Sequence, residues 1–258
     1  MVRASVERDL LVDYLNNRLG VGAYTDYGPN GLQIEGSQRI SRVAFSVSAT
    51  REASEAAVRL KADALIVHHG LFWNFQQPKV LTGPYAKRVF PLVRHEISLM
   101  AYHLPLDAHP EIGNAAELAR RIGLAGHAPF GDHQGAPTGV KGHFSPGLSA
   151  KSLQALLEKI LDHPVILASP DPGQVVQTLG IITGGANKDW RLALKEGLDG
   201  YLTGEISEHD WHDSQEAGIH MFAGGHHATE QFGIQALMDE IAARFQLECF
   251  FIPSGNPA

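Results

Sequence analysis

Imidazole and carboxylate side chains, which bind metal ions and carry protons, gather in three segments of this 258-residue chain. Each segment follows an apolar run typical of a buried strand. Because ligands bind outside the carboxyl ends of parallel strands, the arrangement favours one shared metal site. The three sets are His68 with His69, His103 with Asp107, and His226 with Glu230.

His68 and His69 directly precede Gly70 at the end of an apolar run. Adjacent residues on a strand point to opposite faces. A pair at a strand end, where the backbone turns, can therefore present one imidazole to each of two metal ions. The alternative is structural: one buried histidine bonded to a carbonyl group, beside one exposed neighbour.

His103 is followed four residues later by Asp107, with Pro105 between them. Pro105 predicts a stiff turn in place of a regular helix, which would fix the direction of the Asp107 side chain. A carboxylate at this point can bridge two cations and lower their mutual repulsion. A polar turn that binds no metal is the alternative interpretation.

His226 and Glu230 follow two glycines at the start of a long helical pattern over residues 229–245. We expect Thr229 or a neighbour to cap this helix, and the spacing predicts that His226 and Glu230 lie on one face. Mixed imidazole and carboxylate ligands suit zinc, iron, manganese, cobalt or nickel without distinguishing among them. Two such ions can activate a water molecule and polarise a carbonyl or phosphoryl oxygen.

Three further segments carry open alternatives. Residues 205–212 contain Glu205, Asp210 and two histidines, which could supply a general base or hold substrate, or could begin a helix whose dipole favours acidic residues. Trp73 could stack on a planar heterocycle or pack at the rim of a site. Residues 27–31 have the composition of a site wall and equally of a plain turn.

Strand and helix patterns alternate along the chain, which predicts an α/β fold with parallel-type sheets. The first helix is predicted over residues 5–19, with Ser5 as a possible N-cap, an apolar face that includes Leu10, and Gly20 just past its end. Further helices are predicted over residues 50–61, 83–95, 114–122, 149–161, 188–196, 208–217 and 229–245. Strands are predicted over residues 40–47, 64–69, 97–103, 140–144, 165–168, 176–183, 200–203, 220–223 and 248–252.

The two halves of the chain repeat this order of elements. Residues 41–103 and 177–226 each run strand, helix, strand, helix, strand, and each third strand precedes a histidine with a carboxylate four residues later. Glycine, proline and histidine dominate residues 126–142, which we interpret as a linker. The sequence therefore predicts a first unit of residues 1–126 plus 224–258 and a second unit of residues 127–223.

Composition argues against several classes of protein. A net charge of −7, without a run of Lys or Arg, makes a general nucleic-acid surface a poor fit. The single cysteine, Cys249, lies in an apolar run, which indicates a core thiol and a reducing compartment. Residues 1–11 show no secretory signal and no apolar stretch is long enough to span a bilayer, so we expect a cytoplasmic protein without a membrane partner.

Six motifs occur together in the order Asp26 to Gln33, Ile66 to Gly70, Tyr102 to Asp107, Gly113-Asn114, Leu202 to Glu205, and Gly225-His226 with Thr229-Glu230. In these motifs, across nearly its whole length, the chain resembles the NGG-interacting-factor-three-like family, a family of toroidal homohexamers with a dinuclear metal centre. The resemblance implies two similar interlocked α/β units with mostly parallel-type sheets and a metal cleft between them. It also implies two divalent metal ions, with His103 near them and the ligands His68, His69, Asp107, His226 and Glu230.

Members of that family are often named GTP cyclohydrolase I type 2. The resemblance implies a metal-dependent hydrolase that opens the imidazole ring of GTP, or acts on a pterin-like heterocycle, with Glu205 or His103 moving protons. Because the chain has no glycine-rich phosphate loop, the metals and the rim would hold the nucleotide. The alternative is a non-catalytic metal-binding scaffold or metallochaperone.

The sequence departs from the family pattern at one strand. Many members carry an aspartate where residues 46–50 read Ser-Val-Ser-Ala-Thr, so any role of that carboxylate is absent here. The chain is also too short for the long inserted domain of several members.

Overall fold

The computed structural model describes residues 4–76 and 79–258. Residues 1–3, part of the segment in which the sequence predicts no secretory signal, lie outside these ranges. The chain divides into two compact units, Met1–Leu106 with Ile234–Ser254 and Asp107–Gly233 with Gly255–Ala258. Residues 107–126 and 224–233 thus lie in the second unit, although the sequence placed them in the first. The reason is packing, because the apolar face of the helix that begins at Asn114 joins the core of the second unit.

The first unit is built from short strands and amphipathic helices. Its strands are β1 (Val6–Glu7), β2 (Gly31–Ile34), β3 (Arg39–Ile40), β4 (Arg42–Ser48), β5 (Ala64–His69), β6 (Ser98–Ala101) and β13 (Glu248–Phe251). Its helices are α1 (Arg8–Arg18), α2 (Arg51–Arg59) and α3 (Gly83–Arg94), with a 3-10 turn at Val21–Ala23. The turn α4 (Leu104–Asp107) leads out of this unit, and α10 (Gln231–Phe245) returns to it.

Five strands form the main sheet of the first unit, in the order β13-β4-β5-β6-β2. The pairings β13–β4, β4–β5 and β5–β6 are parallel, and β2 pairs with β6 antiparallel. Leu65, Ile66 and Val67 of β5 are fully buried, as expected for a parallel strand that is covered on both faces.

The predicted first helix begins three residues later than expected. Val6 and Glu7 pair with β3, so Glu7 is the N-cap of α1 and Ser5 does not cap it. Leu10 is 58% exposed, which makes its assignment to the apolar face wrong, whereas Leu11 is fully buried. The end of the helix is as predicted, with Gly20 in the left-handed conformation at φ 62° just past it.

The second unit contains the remaining elements in chain order. Its helices are α5 (Asn114–Arg121), α6 (Ala150–Leu161), α7 (Trp190–Lys195), α8 (Glu208–Glu216) and α9 (His226–Thr229), with a 3-10 turn at Asn187–Asp189. Its strands are β7 (Ala125–Phe130), β8 (Gly139–Ser149), β9 (Ile166–Ala168), β10 (Val175–Ile181), β11 (Gly200–Thr203) and β12 (His220–Ala223). They form one sheet in the order β7-β8-β10-β11-β12-β9.

The predicted linker over residues 126–142 was wrong. Most of it forms β7 and the first part of β8, which pair antiparallel. Its glycine and proline are accommodated because β7 is an edge strand, where Pro129 need not donate a ladder hydrogen bond. Gly126, at φ 65°, lies where the register of the pairing shifts.

Both sheets contain the same arrangement of four strands, so the two units are similar. In the first unit β4-β5-β6 are parallel and β2 adds antiparallel, and in the second β10-β11-β12 are parallel and β9 adds antiparallel. An aspartate before each middle strand locks the backbone of the neighbouring first strand, at its start in the first unit and near its middle in the second. Asp63 Oδ2 accepts three hydrogen bonds at 2.8–2.9 Å from Ser41 N, Ser41 Oγ and Arg42 N. Asp199 Oδ2 accepts three from Gln177 N, Thr178 N and Thr178 Oγ1.

Two turns near the strand ends differ from the sequence prediction. Pro105 does not prevent helix, because α4 is a single turn and proline is tolerated in a first turn, where its missing N–H is not needed. The predicted helix over residues 229–245 begins earlier and is broken at Glu230, whose φ of −105° and ψ of 10° separate α9 from α10.

Two expectations from composition concern the thiol and the membrane. Cys249 is a free, partly buried cysteine on β13, and burial raises its pKa to about 11. Its thiol therefore stays protonated at neutral pH. Across residues 4–76 and 79–258, every helix is too short or too polar to cross a bilayer.

We predict that Asp199→Ala destabilises the second unit by about 1–3 kcal/mol, because two backbone N–H groups and one hydroxyl lose their acceptor. Urea denaturation at neutral pH measures this change. Asp171→Ala is the matched control, since its carboxylate accepts an exposed loop N–H of Gly173. Equal losses in the two variants would contradict the proposed lock.

Candidate metal centre

Three histidines of the first unit meet at one edge of its sheet. His68 and His69 end β5, and His103 follows the end of β6 by two residues. Because β5 and β6 are parallel neighbours, their carboxyl ends bring these side chains together. One ring nitrogen from each of the three lies within 4.8 Å of the others. His103, predicted to lie near the metals and to move protons, thus shares the cluster of His68 and His69.

Hydrogen bonds fix the orientation of each ring in this histidine cluster. The Nδ1 of His68 donates to the carbonyl oxygen of Tyr102 at 3.0 Å, which leaves Nε2 with the lone pair that a metal ligand needs. The Nδ1 of His69 lies 3.0 Å from Ser48 Oγ, and the Nδ1 of His103 donates to Asp26 at 2.7 Å. An Nδ1 held by an outer partner is the usual arrangement of metal-binding histidines.

Asp26 opens the first of the six motifs, but no role for its carboxylate was predicted from the sequence. Besides His103, its carboxylate accepts from Leu104 N at 2.9 Å and from Asn30 Nδ2 at 2.8 Å. Burial raises its pKa, but hydrogen bonds from His103, Asn30 and Tyr27 N outweigh burial and lower the pKa overall. Asp26 is therefore a stable anion that orients His103.

The second unit carries a set of anionic candidate ligands. Asp107 and Glu230 are 6% and 3% exposed, and a carboxylate oxygen of one lies within 4.8 Å of one of the other. Asp107 Oδ1 accepts from Asn114 Nδ2 at 2.8 Å and from Thr183 Oγ1 at 3.2 Å. Neutral donors orient this carboxylate without cancelling its charge. Two buried carboxylates at this separation repel each other, and a bound cation would relieve the repulsion.

His226 lies between two carboxylates of the same unit. Its Nδ1 is 2.6 Å from Glu205 Oε1 and its Nε2 is 3.2 Å from Glu230 Oε2, as the spacing of His226 and Glu230 predicted. Burial lowers the pKa of His226, but the hydrogen bonds and charges of Glu230 and Glu205 outweigh it and raise the pKa to about 9. The flanking anions therefore attract positive charge to the position of this imidazole.

Glycine is required where the backbone passes Glu230 and His226. A Cβ at Gly184, which has a φ of 69°, would lie 2.0 Å from Glu230 Oε1. A Cβ at Gly204 would lie 2.6 Å from the Cα of His226. Gly184 N also donates to Thr229 Oγ1 at 3.1 Å, which ties the loop after β10 to the turn α9. We expected Thr229 or a neighbour to cap the long helix. The Thr229 side chain instead anchors the neighbouring loop.

Both residue sets offer donor atoms of the types that bind divalent metal ions. The first unit offers three imidazoles, each with its Nδ1 held by a neighbouring residue. The second unit offers one imidazole and buried carboxylates. These donors match the preferences of zinc, iron, manganese, cobalt and nickel. Such ions, when bound, lower the pKa of a coordinated water and polarise substrate oxygens.

Most of the acidic cluster over residues 205–212 is structural. Asp210 is fully buried and accepts from Asn187 Nδ2 at 2.7 Å and from Trp190 Nε1 at 3.0 Å, so it joins α8 to the start of α7. The side chains of His209 and His212 are 56% and 57% exposed. Glu205 differs from these residues, because it contacts His226.

The structure places two aromatic residues that the sequence left open beside the histidine cluster. The Trp73 ring centroid is 5.0 Å from that of His103 and 6.0 Å from that of His69. Tyr27 lies 6.1 Å from His103. Both aromatics therefore border the candidate ligands.

Strand-end histidines and buried carboxylates on two similar α/β units define a candidate metal-binding protein. The chain belongs to the Duf34/NIF3 (NGG1p interacting factor 3) family, whose model matches residues 6–257. It is similar to a "GTP cyclohydrolase 1 type 2 homolog" of Neisseria meningitidis, with 40% identity over 254 residues that cover 98% of this chain and 99% of the relative. A protein of the same name from Yersinia pestis is 41% identical, covering 95% and 96%.

Solved structures show the same fold. A protein named ybgI and described as of unknown function is similar with a TM-score of 0.91 and 37% identity, covering 98% of this chain and 100% of that one. TTHA1606 from Thermus thermophilus has a TM-score of 0.87 and 31% identity, covering 97% and 100%. These similarities confirm the predicted family and the predicted α/β fold of two similar units.

We predict that Asp210→Asn lowers the free energy of unfolding by about 1–3 kcal/mol at neutral pH, because an amide cannot accept as well from both Trp190 and Asn187. Burial raises the pKa of Asp210, but hydrogen bonds from Asn187 and Trp190 and the nearby His209 outweigh it and lower the pKa. The charged carboxylate therefore stabilises the fold above the unfolded pKa of about 3.9, and this contribution is lost as pH falls through the lower folded value.

Denaturation of wild type and variant from pH 7 to acid measures the difference, which should shrink at acidic pH. Asp213→Asn is the control, since Asp213 is 48% exposed and contacts Arg191 at the surface. A difference that stays constant with pH would contradict a role for the charge of Asp210.

Proposed function

We propose that this protein binds two divalent metal ions through His68, His69, Asp107, His226 and Glu230 and acts as a metal-dependent hydrolase on GTP or a related heterocycle. The observation that carries the proposal is the orientation of the imidazoles. Outer acceptors engage the Nδ1 of His68, His103 and His226. The Nε2 of His226 lies 3.2 Å from Glu230 Oε2. One ring nitrogen each of His68, His69 and His103 lies within 4.8 Å of the others.

The two ligand sets complement each other chemically. The histidine cluster supplies neutral donors, whereas Asp107 and Glu230 supply the negative charge that two dications need. We propose that both sets serve one pair of ions, as the family resemblance implies. Open coordination positions on such ions would admit water and substrate.

Two side chains of the chain are proposed to move protons. Glu205 is 53% exposed at its side chain and contacts His226, so it can exchange protons with solvent and with a bound substrate. His103, whose Nδ1 is held by Asp26, presents its Nε2 as a second acceptor or donor. These are the residues that we propose as catalytic.

The proposed substrate follows from the names of the relatives at about 40% identity. In such a reaction one water would add to C8 of the purine and break one C8–N bond, which leaves C8 as a formamide on the other nitrogen. A second water would break that remaining bond and release C8 as formate. A base must take a proton from each attacking water, and an acid must protonate each departing nitrogen. Glu205 and His103 would provide these transfers. Assembly as a toroidal homohexamer and a cytoplasmic location belong to the same proposal.

We predict that His68→Ala and Glu230→Gln each lose at least about tenfold in metal affinity, since removal even of an outer partner typically costs 10- to 100-fold. Titration of the metal-free protein with Zn²⁺ or Mn²⁺, followed by calorimetry and elemental analysis, measures affinity and stoichiometry. His212→Ala is the control, because this histidine is exposed on α8 and contacts Glu208.

The same titrations separate one dinuclear centre from two independent sites. In a shared centre either variant weakens the binding of both ions. If each variant lost one ion and left the affinity for the other unchanged, the shared centre would be wrong. Unchanged binding in both variants would remove the ligand assignment itself.

We predict that the metal-loaded protein releases formate from GTP and forms a pterin-type fluorescent product. Glu205→Gln is expected to reduce kcat by about 10²- to 10⁴-fold, the usual contribution of a positioned acid or base. Formate detection and chromatography of the nucleotide measure both quantities. Glu208→Gln, an exposed neighbour on α8, serves as control.

A wild-type protein that retains two metal ions but yields no formate would contradict the cyclohydrolase activity. Metal retention without turnover of any nucleotide or pterin would favour the metal-binding scaffold instead.

A further inference from the structure

Four rings of the first unit form a closed circuit at the histidine cluster. The centroid separations are 6.1 Å from Tyr27 to His103, 5.0 Å from His103 to Trp73, 5.7 Å from Trp73 to Phe75, and 6.4 Å from Phe75 to Tyr27. Trp73 and Phe75 are stacked at 28°, and the other pairs are tilted or edge-on. One member of the circuit, His103, is also a member of the candidate metal centre.

The outer members of the circuit face solvent. Phe75 is 70% exposed and Tyr27 is 46% exposed. The fold could bury such surface more favourably, since full burial of a Phe side chain typically stabilises by about 1.5–3 kcal/mol. Large aromatic side chains that remain exposed beside polar, potentially metal-binding side chains are characteristic of sites where a flat molecule binds.

The two loops that carry these aromatics are braced against each other. Asn74 N donates to Tyr27 O at 2.6 Å. Gln33 donates to Pro29 O at 2.8 Å and accepts from Leu71 N at 2.8 Å, so one side chain joins both loops. A Cβ at Gly28 would lie 2.2 Å from the carbonyl oxygen of Phe72, which shows how closely the loops pack.

Two members of the aromatic circuit, Trp73 and His103, line one small cavity together with His68. Asp26 links the aromatic circuit to the histidine cluster, because its carboxylate orients His103 while its carbonyl oxygen accepts from Asn74 Nδ2 at 3.4 Å. The position of the aromatic rings is therefore fixed relative to the histidines.

We propose that Tyr27, Trp73 and Phe75 bind a planar heteroaromatic ring, of the purine or pterin class, by stacking, and hold it beside His103. This inference rests on the proposed function for the identity of the ring, but its contacts involve only the aromatic side chains. Stacking suits both classes of ring, because every such ring has a π face. The aromatic circuit would thus select the substrate, and the metal ligands would act on it.

Calorimetric titration of the metal-loaded protein with guanosine and with neopterin tests the proposal, with ribose 5-phosphate as the non-aromatic probe. We expect both rings to bind and ribose 5-phosphate to bind at least tenfold more weakly. Trp73→Ala and Phe75→Ala should each weaken ring binding roughly tenfold or more, the usual range for loss of a stacking partner. Trp73→Phe should restore most of the affinity, and Trp211→Ala, a 40% exposed tryptophan on α8, should not change it.

Melting temperature and bound metal are measured for every variant, so that a misfolded protein is recognised. If an alanine variant misfolds, the ring affinity of Trp73→Phe tests the proposal. Sedimentation of each variant addresses a different occupant, a second copy of the chain. The proposal is overturned if neither ring binds the wild type, if Trp73→Ala and Phe75→Ala bind both rings normally, or if these variants change only the state of association. Because binding is read without turnover, ring binding with no formate release would contradict the cyclohydrolase activity and leave this inference standing.

Discussion

The parallel pairing of β4, β5 and β6 is the constraint on which the histidine cluster depends. The register sets Ser48 beside His69 and Val67 beside Ala101, so these strands end at one edge within two residues of each other. Three imidazoles and the hydroxyl that contacts one of them then meet without any long loop to position them. The carbonyl group of Tyr102, freed where β6 ends, orients His68. The same backbone that ends the sheet therefore also sets the tautomer of a candidate ligand.

The second unit solves a different electrostatic problem with the same strand arrangement. Its candidate ligands include buried carboxylates, which are costly unless hydrogen bonds and positive charge compensate them. Asn114 and Thr183 supply the hydrogen bonds to Asp107, and the glycines at positions 184 and 204 leave room for Glu230 and His226. The buried carboxylates of this set therefore depend on the small residues around them.

Much of the fold follows from the sequence because the signals are local. The apolar run before His68 predicted β5 with its observed bounds, and the strands at Gly200–Thr203 and His220–Ala223 were equally clear. The part of residues 126–142 that forms β7 could not be predicted, because its glycines and proline resemble a linker until an edge position accommodates them. The N-cap of α1 was misplaced for a similar reason, since the pairing of Val6 with Ile40 is non-local.

Some residues of the candidate site could likewise be predicted from local sequence, and others could not because their partners are distant in the chain. The pairs His68–His69 and His226–Glu230 stand out because their spacing alone indicates a ligand geometry. The role of Asp26 does not, because its partner His103 is 77 residues away and only the fold brings them together. Asp210 shows the reverse case, since its neighbours in sequence resemble a site whereas its contacts to Trp190 and Asn187 are those of a structural anchor.

Because of the aspartate locks at Asp63 and Asp199, stabilising contacts and candidate ligands lie at opposite ends of the middle strands. Asp63 precedes β5 and His69 ends it, so about 20 Å of extended chain lies between the lock and the ligand. Stability is therefore concentrated at the amino end of these strands and chemistry at the carboxyl end, as in other parallel α/β proteins. The residues at the ligand edge can therefore differ between the two units while the aspartate lock stays the same in both.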